Sequence, residues 1–285
     1  MTDNANETIP LAGTFTAPDG AAFWERRWEP ADDAKAHLVL IHGYGEHCSR
    51  YDHVARAMNG AGIAVHAYDQ RGFGRSPGKR GYVRDIEELI ADLDAFVAHV
   101  QPRFEGKPVF YMGHSMGGQV LAYHYITRKP AVRGLVFSSP FLAFTGDVPK
   151  ALLAVSGVVG ALLPWMPVDK LKLGAISRDP AVVQAAEADP LSYHGFIRAR
   201  TGAQFKRAIE YIHANVSAID APFLALHGTC DQLVGPAGTQ ALYENAPAAD
   251  KTLEIVDGGY HELWNDLEKA RIIRLMIDWI TTRCD

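Results

Sequence analysis

The stretch YMGHSMGGQV, residues 111–120, sets Ser115 between Gly113 and Gly117, with Gly118 directly behind. The run PVFYMG before the serine reads as a buried strand, and GGQVLAYHYITR after it reads as a helix. A serine at such a junction sits on a sharp bend. Gly113 and Gly117 lack Cβ atoms, so strand and helix can approach closely and push the Ser115 hydroxyl into the open. With 26 glycines and 9 serines in 285 residues, chance supplies about 0.07 G-x-S-x-G matches. The pattern is therefore informative, and its strand-turn-helix setting predicts a nucleophile elbow.

Outward from the elbow, apolar runs of strand length recur: HLVLIHG (37–43), GIAVHAYD (62–69), KPVFYMG (107–113), RGLVFSS (133–139), APFLALHG (221–228) and KTLEIVDGG (251–259). Runs this continuous fit strands covered on both faces, as in a parallel sheet. Upstream, TFTAPDGAAFWERRWEP reads as two strands about the turn Pro18-Asp19-Gly20. Between strands lie helical patterns. The clearest is DIEELIADLDAFVAHVQPRF, where Ile86, Leu89, Ile90, Leu93, Phe96, Val97 and Val100 keep helical spacing. This alternation predicts an α/β fold with a mostly parallel central sheet flanked by helices. It breaks between residues 142 and 205, where Pro-punctuated, helical-looking segments follow one another. The expected organisation is a core of residues 1–141 and 206–285 with an inserted helical cap, or lid, at 142–205.

A serine hydroxyl is a weak nucleophile until a base takes its proton and an acid orients that base. On such a sheet the partners come from loops after later strands, in the order serine, acid, histidine. His261 follows the strand KTLEIVDGG, and Asp231 lies just beyond APFLALHG, with Asp257 as the substitute acid. The segment HGYGEH (42–47) ends an earlier strand. It is placed to set the Tyr44 backbone N–H opposite that of Met116, forming an oxyanion hole for the charge that develops as Ser115 attacks a carbonyl. His42 and His114 are expected to pack beside these groups.

Other chemistries find no support. A net charge of −5 and a pI near 6.2 give no basic footprint for nucleic acid. Cys48, Cys230 and Cys284 are odd in number and widely spaced, which suggests neither a disulfide framework nor a zinc site. SPGKR lacks the leading glycine and trailing hydroxyl of a phosphate loop, GFGRSP lacks the last glycine of a dinucleotide fingerprint, and HELWN lacks the second histidine of a zinc protease. No metal or cofactor is implied. The polar start MTDNANETIPLAGTF has no secretory pattern, so reduced thiols and a cytoplasmic location are expected. The apolar run ALLAVSGVVGALLP (151–164) is shorter than the roughly 20 residues that span a bilayer. It lies within VPKALLAVSGVVGALLPWM (148–166), whose default role is packing over the site. The working hypothesis gives its inner side an acyl chain and its outer side a peripheral membrane contact.

Read in order, HGYGEHCSRYDHVARAM, YDQRGFGRSPGKRGYVRD, GHSMGGQ, ISRDP, ADPLSYHG, HGTCDQLV and GGYHELWND resemble the monoacylglycerol lipase and lysophospholipase family of α/β-hydrolases, from about residue 20 onward. The resemblance implies the α/β-hydrolase fold and cleavage of carboxylic esters, most of all monoacylglycerols and related single-chain lipid esters, through an acyl-serine intermediate. It assigns Ser115 as nucleophile, Asp231 as acid, His261 as base, and Tyr44 and Met116 as oxyanion donors, the residues reached above without it. It adds Glu46 and Arg50 as residues lining the alcohol side of the pocket. Two positions depart from the family pattern. Phe73 stands where many relatives carry histidine, and Ala186 and Glu187 stand where relatives often have Tyr-Asn, which removes a tyrosine from the glycerol end. Alternatives left open are a lysophospholipase, an aminopeptidase with Glu187 holding the substrate amine, a C–C bond hydrolase, and a non-catalytic binding protein of the same fold.

Overall fold

The Pro18-Asp19-Gly20 reversal forms as expected. Gly20 takes φ +84°, and Asp19 Oδ1 accepts from the Ala21 N–H at 3.1 Å, so β1 (Leu11–Thr16) and β2 (Ala22–Trp28) pair antiparallel. The computed structural model describes residues 10–145 and 150–284, with side chains from 154 onward in the helix that begins at Lys150. Residues 1–9, which carry most of the polar start, residues 146–149 and Asp285 lie outside the described residues, as do the side chains of 150–153 in the apolar run.

After β2 come β3 (Ala36–Ile41), α1 (Asp52–Gly60), β4 (Ile63–Tyr68), α2 (Ile86–Val100), β5 (Val109–His114), α3 (Met116–Arg128) and β6 (Gly134–Ser138). Every residue of β3, β4 and β6 is buried, which is why their sequences run apolar without alternation. Along β3 the faces divide. Val39 and Ile41 join a cluster with Leu93 and Phe96 of α2 and Val120 of α3. Leu38 and Leu40 join another with Val54 and Met58 of α1.

The segment that follows β6 holds α4 (Lys150–Leu162), β7 (Pro167–Lys170), α5 (Pro180–Ala188) and β8 (Phe196–Arg198), and leads into α6 (Ala199–Ala214). It contains more than helices, since β7 and β8 pair as a small antiparallel sheet. Their residues are mostly exposed, so no apolar run marked them in the sequence. Helix α6 passes straight through the boundary expected at 205/206. Helices α4 and α6 pack closely: a Cβ on Gly160 would lie 2.7 Å from Ala203 Cβ.

The chain then closes the sheet with β9 (Phe223–Gly228), α7 (Pro236–Asn245), β10 (Lys251–Val256) and α8 (Lys269–Thr281). The eight strands run in the order β1-β2-β4-β3-β5-β6-β9-β10, parallel from β4 to β10. This is the α/β-hydrolase fold. From β3 the chain steps to β4 on one side and returns to β5 on the other, so the order reverses between β3 and β5. Loops leaving the carboxyl ends of those two strands diverge there and open a crevice. The two loops are HGYGEH and the Ser115 turn.

Candidate active site

Ser115 sits between β5 and α3 with φ 53° and ψ −119°, a backbone conformation that residues with a Cβ seldom adopt. Three hydrogen bonds hold it there. Its N–H donates to Ser138 O at 3.0 Å, and its carbonyl accepts from the N–H groups of Gln119 at 3.1 Å and Phe141 at 2.9 Å. The surrounding glycines are steric requirements. A Cβ on Gly117 would lie 2.1 Å from Ile41 O, and one on Gly113 would lie 2.4 Å from Gly117 O.

Asp231 and His261 come together across 30 residues. His261 Nδ1 lies 2.6 Å from Asp231 Oδ2, which fixes the proton on Nδ1 and leaves Nε2 as the ring's basic nitrogen. Asp231 Oδ1 accepts from the N–H groups of Leu233 at 2.8 Å and Val234 at 3.0 Å. Burial works to raise the Asp231 pKa, but the His261 charge and the hydrogen bonds from His227 and His261 outweigh it and hold the carboxyl well below the usual range. At His261 burial works to lower the pKa, and Asp231 reverses the balance, so the ring's pKa is raised. Asp257 is exposed and bonds Thr229 Oγ1 instead. Ser139 Oγ donates to the His261 carbonyl at 2.9 Å and steadies its loop.

Ser115 and His261 line one cavity of about 350 Å³, within the size range of small-molecule sites. Among the described residues no hydrogen bond joins the Ser115 hydroxyl to the His261 ring. The two share the cavity wall, a separation that unliganded serine hydrolases tolerate. His114 packs against His261 with ring centroids 4.7 Å apart. Burial, followed by the neighbouring His261, pushes the His114 pKa down to about 3, so a neutral ring lies beside the base. His114 also lines the cavity, whereas buried His42 does not. Its Nδ1 lies 2.7 Å from Gly43 O, and its Nε2 accepts from the Gln70 N–H at 2.8 Å.

The HGYGEH loop runs alongside. A Cβ on Gly43 would stand 3.2 Å from Ser115 Cβ, so this loop and the elbow touch. Glu46 Oε1 accepts from the Gly43 N–H and from the Tyr51 hydroxyl, the latter at 2.7 Å. Tyr44 lines the cavity, and its hydroxyl donates to Gly81 O at 2.8 Å. Phe73 is buried with its ring 5.1 Å from that of Tyr44, so the departure from histidine is absorbed as packing under the loop. Met116, the first residue of α3, has an N–H with no acceptor within the helix.

Glu46 and Arg50 line the cavity, but they belong to a buried charge network. Arg50 bonds Glu46 Oε2 at 3.0 Å and grips both oxygens of Glu262 at 2.6 and 2.8 Å. Burial would lower the Arg50 pKa, yet Glu262 and Glu46 raise it, so the guanidinium stays charged. Phe141, Phe144, Val159, Leu171, Ile176 and Ile197 supply much of the apolar wall. Ala186 lines the cavity too, whereas Glu187 is exposed and is not part of the lining.

Sequence reasoning missed His227, Glu262 and the pair His47–Asp189. Each had a faint signal: His227 stands four residues before Asp231, Glu262 follows His261 directly, and His47 closes the HGYGEH motif.

Residues 32–268 match the family described as Serine aminopeptidase, S33. The chain is 36% identical over 256 residues to the monoacylglycerol lipase of Mycolicibacterium smegmatis, covering 90% of this chain and 91% of that protein. It is 32% identical over 253 residues to the monoglyceride lipase of Homo sapiens, covering 88% and 84%. The crystal structure of the Paleococcus ferrophilus monoacylglycerol lipase superposes with a TM-score of 0.83 at 32% identity, over 92% of this chain and 99% of that one.

Proposed function

The chain belongs to the serine aminopeptidase S33 family of α/β-hydrolases, beside the monoacylglycerol lipases, and from that premise we propose that it hydrolyses monoacylglycerols and related single-chain lipid esters. It is a carboxylic ester hydrolase. In the proposed cycle His261 Nε2 takes the Ser115 proton as Oγ attacks the ester carbonyl, and the Tyr44 and Met116 N–H groups receive the developing oxyanion. His261 then protonates the departing alcohol. Next it removes a proton from water, which attacks the acyl-serine and releases the fatty acid. Asp231 keeps the ring oriented and stabilises its cationic form.

The observation that carries this reading is the 2.6 Å contact between His261 Nδ1 and a buried Asp231 oxygen, on a ring that shares its cavity with Ser115. We assign residues 142–205 as the cap, whose Val159, Leu171 and Ile197 give an acyl chain an apolar wall. Glu46 and Arg50 are assigned to the alcohol side, Glu46 also anchoring the loop that carries Tyr44. An aminopeptidase would need a carboxylate in the cavity to hold the substrate amine. Glu46 and Glu262 are both engaged by Arg50, and Glu187 stands off the wall. This leaves Asp169, an exposed residue of β7 that also lines the cavity, as the one carboxylate among the described residues that the amide comparison below has to test. An enzyme that stays in the cytoplasm and touches membranes through the cap fits this substrate class.

Labelling with a fluorophosphonate probe should modify Ser115. Monoacylglycerols of graded chain length should be cleaved far faster than aminoacyl amides. An unlabelled Ser115, or amides turned over faster than esters, would remove the reading.

A further inference from the structure

The segment between α5 and β8 reaches the HGYGEH loop at two points that the proposed cycle does not use. His47 is 4% exposed at its side chain and directs Nε2 at Asp189 Oδ2, 2.7 Å away. The Tyr193 N–H donates to the Gly45 carbonyl at 2.8 Å. Asp189 is held in turn, because its Oδ1 accepts from the Leu191 N–H at 2.8 Å. Gly45 has φ +83°, and a Cβ there would meet Tyr193 O at 3.4 Å, so turn and loop touch along their backbones. Within the loop Glu46 takes the Gly43 N–H, and from the core Asp69 Oδ1 takes the Cys48 N–H at 2.9 Å. The Tyr44 peptide therefore lies between the Gly43–Glu46 bond inside the loop and the Gly45 contact with the segment that follows α5.

We propose that Asp189 is a positioning residue for hydrolysis, fixing the Gly43–His47 loop through His47 so that the Tyr44 N–H points at the oxygen on which charge develops. The inference rests on the reading of Tyr44 as an oxyanion donor. Asp189 is not itself part of the cavity wall, although Ala186 and Ser192 on either side of it are, so KM is read beside kcat to separate an effect carried by the loop from one carried by the wall. A donor displaced by about 1 Å can cost about 10² in rate, while the apolar wall that binds the acyl chain is untouched. The loss should fall on kcat and spare KM.

The test compares a p-nitrophenyl ester with the thionoester of the same acyl chain, whose sulfur accepts hydrogen bonds poorly and so draws little from an oxyanion hole. Wild-type enzyme should favour the ester. In Asp189→Ala, kcat on the ester should fall about 10²-fold, the thionoester rate should fall much less, and KM should hold for both. Asp189→Asn keeps an oxygen for His47 and should stay within about fivefold of wild type. Thermal unfolding of each variant separates a loosened fold from a misplaced donor. Equal losses on the two substrates, or no loss in the folded Asp189→Ala protein, would overturn the proposal while leaving the oxyanion reading in place. Wild-type enzyme that does not discriminate would remove the Tyr44 reading and the proposal with it.

Discussion

His227 Nε2 lies 3.1 Å from Asp231 Oδ2, the same oxygen that holds His261 at 2.6 Å. Nε2 also lies 3.2 Å from Val234 O, and Nδ1 lies 2.6 Å from Thr239 Oγ1. Two acceptors at Nε2 place the proton there, and the Thr239 hydroxyl donates to Nδ1. His227 is thus a buried second donor to the Asp231 carboxylate. His227→Phe removes a hydrogen bond to a charged group, worth about 1.5–3 kcal/mol. Calorimetry should record a Tm lower by about 3–10 °C, and an unchanged Tm would deny the bond any weight.

In the proposed cycle the raised pKa of His261 should set the pH dependence of activity. The ring must be neutral to accept the Ser115 proton, so kcat/KM should climb with pH through an apparent pKa above the unperturbed 6.5. Asp231→Asn removes the charge that raises it, so the limb should move to lower pH and kcat should drop by about 10⁴. Stability follows linkage with opposite signs. The share from His261, whose folded pKa is raised, is full below about pH 6.5 and fades as pH rises through the folded value. The share from Asp231, whose folded pKa is lowered, is full above about pH 3.9 and fades as pH falls. A wild-type limb at or below 6.5 in a pH–rate profile would contradict the coupling.

Glu46 makes a separable prediction, because its oxygens engage Gly43 N–H, the Tyr51 hydroxyl and Arg50. Glu46→Ala frees the Gly43–Tyr44 peptide and leaves Arg50 to Glu262 alone. The expected result is a kcat lower by about 10² with KM changed little, the size of a weakened oxyanion donor. A rise in KM at constant kcat would leave Glu46 only its place on the alcohol side and deny it a hold on the loop.

The elbow glycines test the fold and the site together. Gly117→Ala puts a methyl group 2.1 Å from Ile41 O, and β3 cannot retreat because both its faces are packed. The variant should express poorly or unfold at markedly lower temperature, and any soluble fraction should label slowly at Ser115. A stable, fully active Gly117→Ala protein would mean that α3 does not cross β3 at this distance.

The central strands were legible because burial on both faces leaves an unbroken apolar run, and the elbow was legible because only glycine fits where α3 crosses β3. Packing of one face against the sheet explains the seven expected core positions of α2, of which only Val97 is left partly exposed. What the sequence hid is what contact in space decides. β7 and β8 are short and mostly exposed, so they carry no hydrophobic period, and α6 runs unbroken across the expected boundary. The Arg50–Glu262 grip spans 212 positions, and no local pattern announces a partner that far away. Asp92 sits on the buried face of α2, made tolerable by Arg71 at 2.8 and 2.7 Å.

The outer surface of α4 carries the remaining prediction. Val158 is 62% exposed and Leu162 74%, with Val155, Leu163 and Trp165 also open to solvent. The first three lie at helical spacing on α4 and form one apolar stripe. No helix among the described residues is long and apolar enough to cross a membrane, so contact would be peripheral, the apolar side chains dipping into the headgroup boundary. Wild-type protein should float with liposomes. The double variant Val158→Asp, Leu162→Asp should remain in the soluble fraction while cleaving a soluble p-nitrophenyl ester at the wild-type rate, because neither residue lines the cavity. If wild type and variant partition alike, the stripe has no role at a lipid surface, and substrate must reach Ser115 from solution.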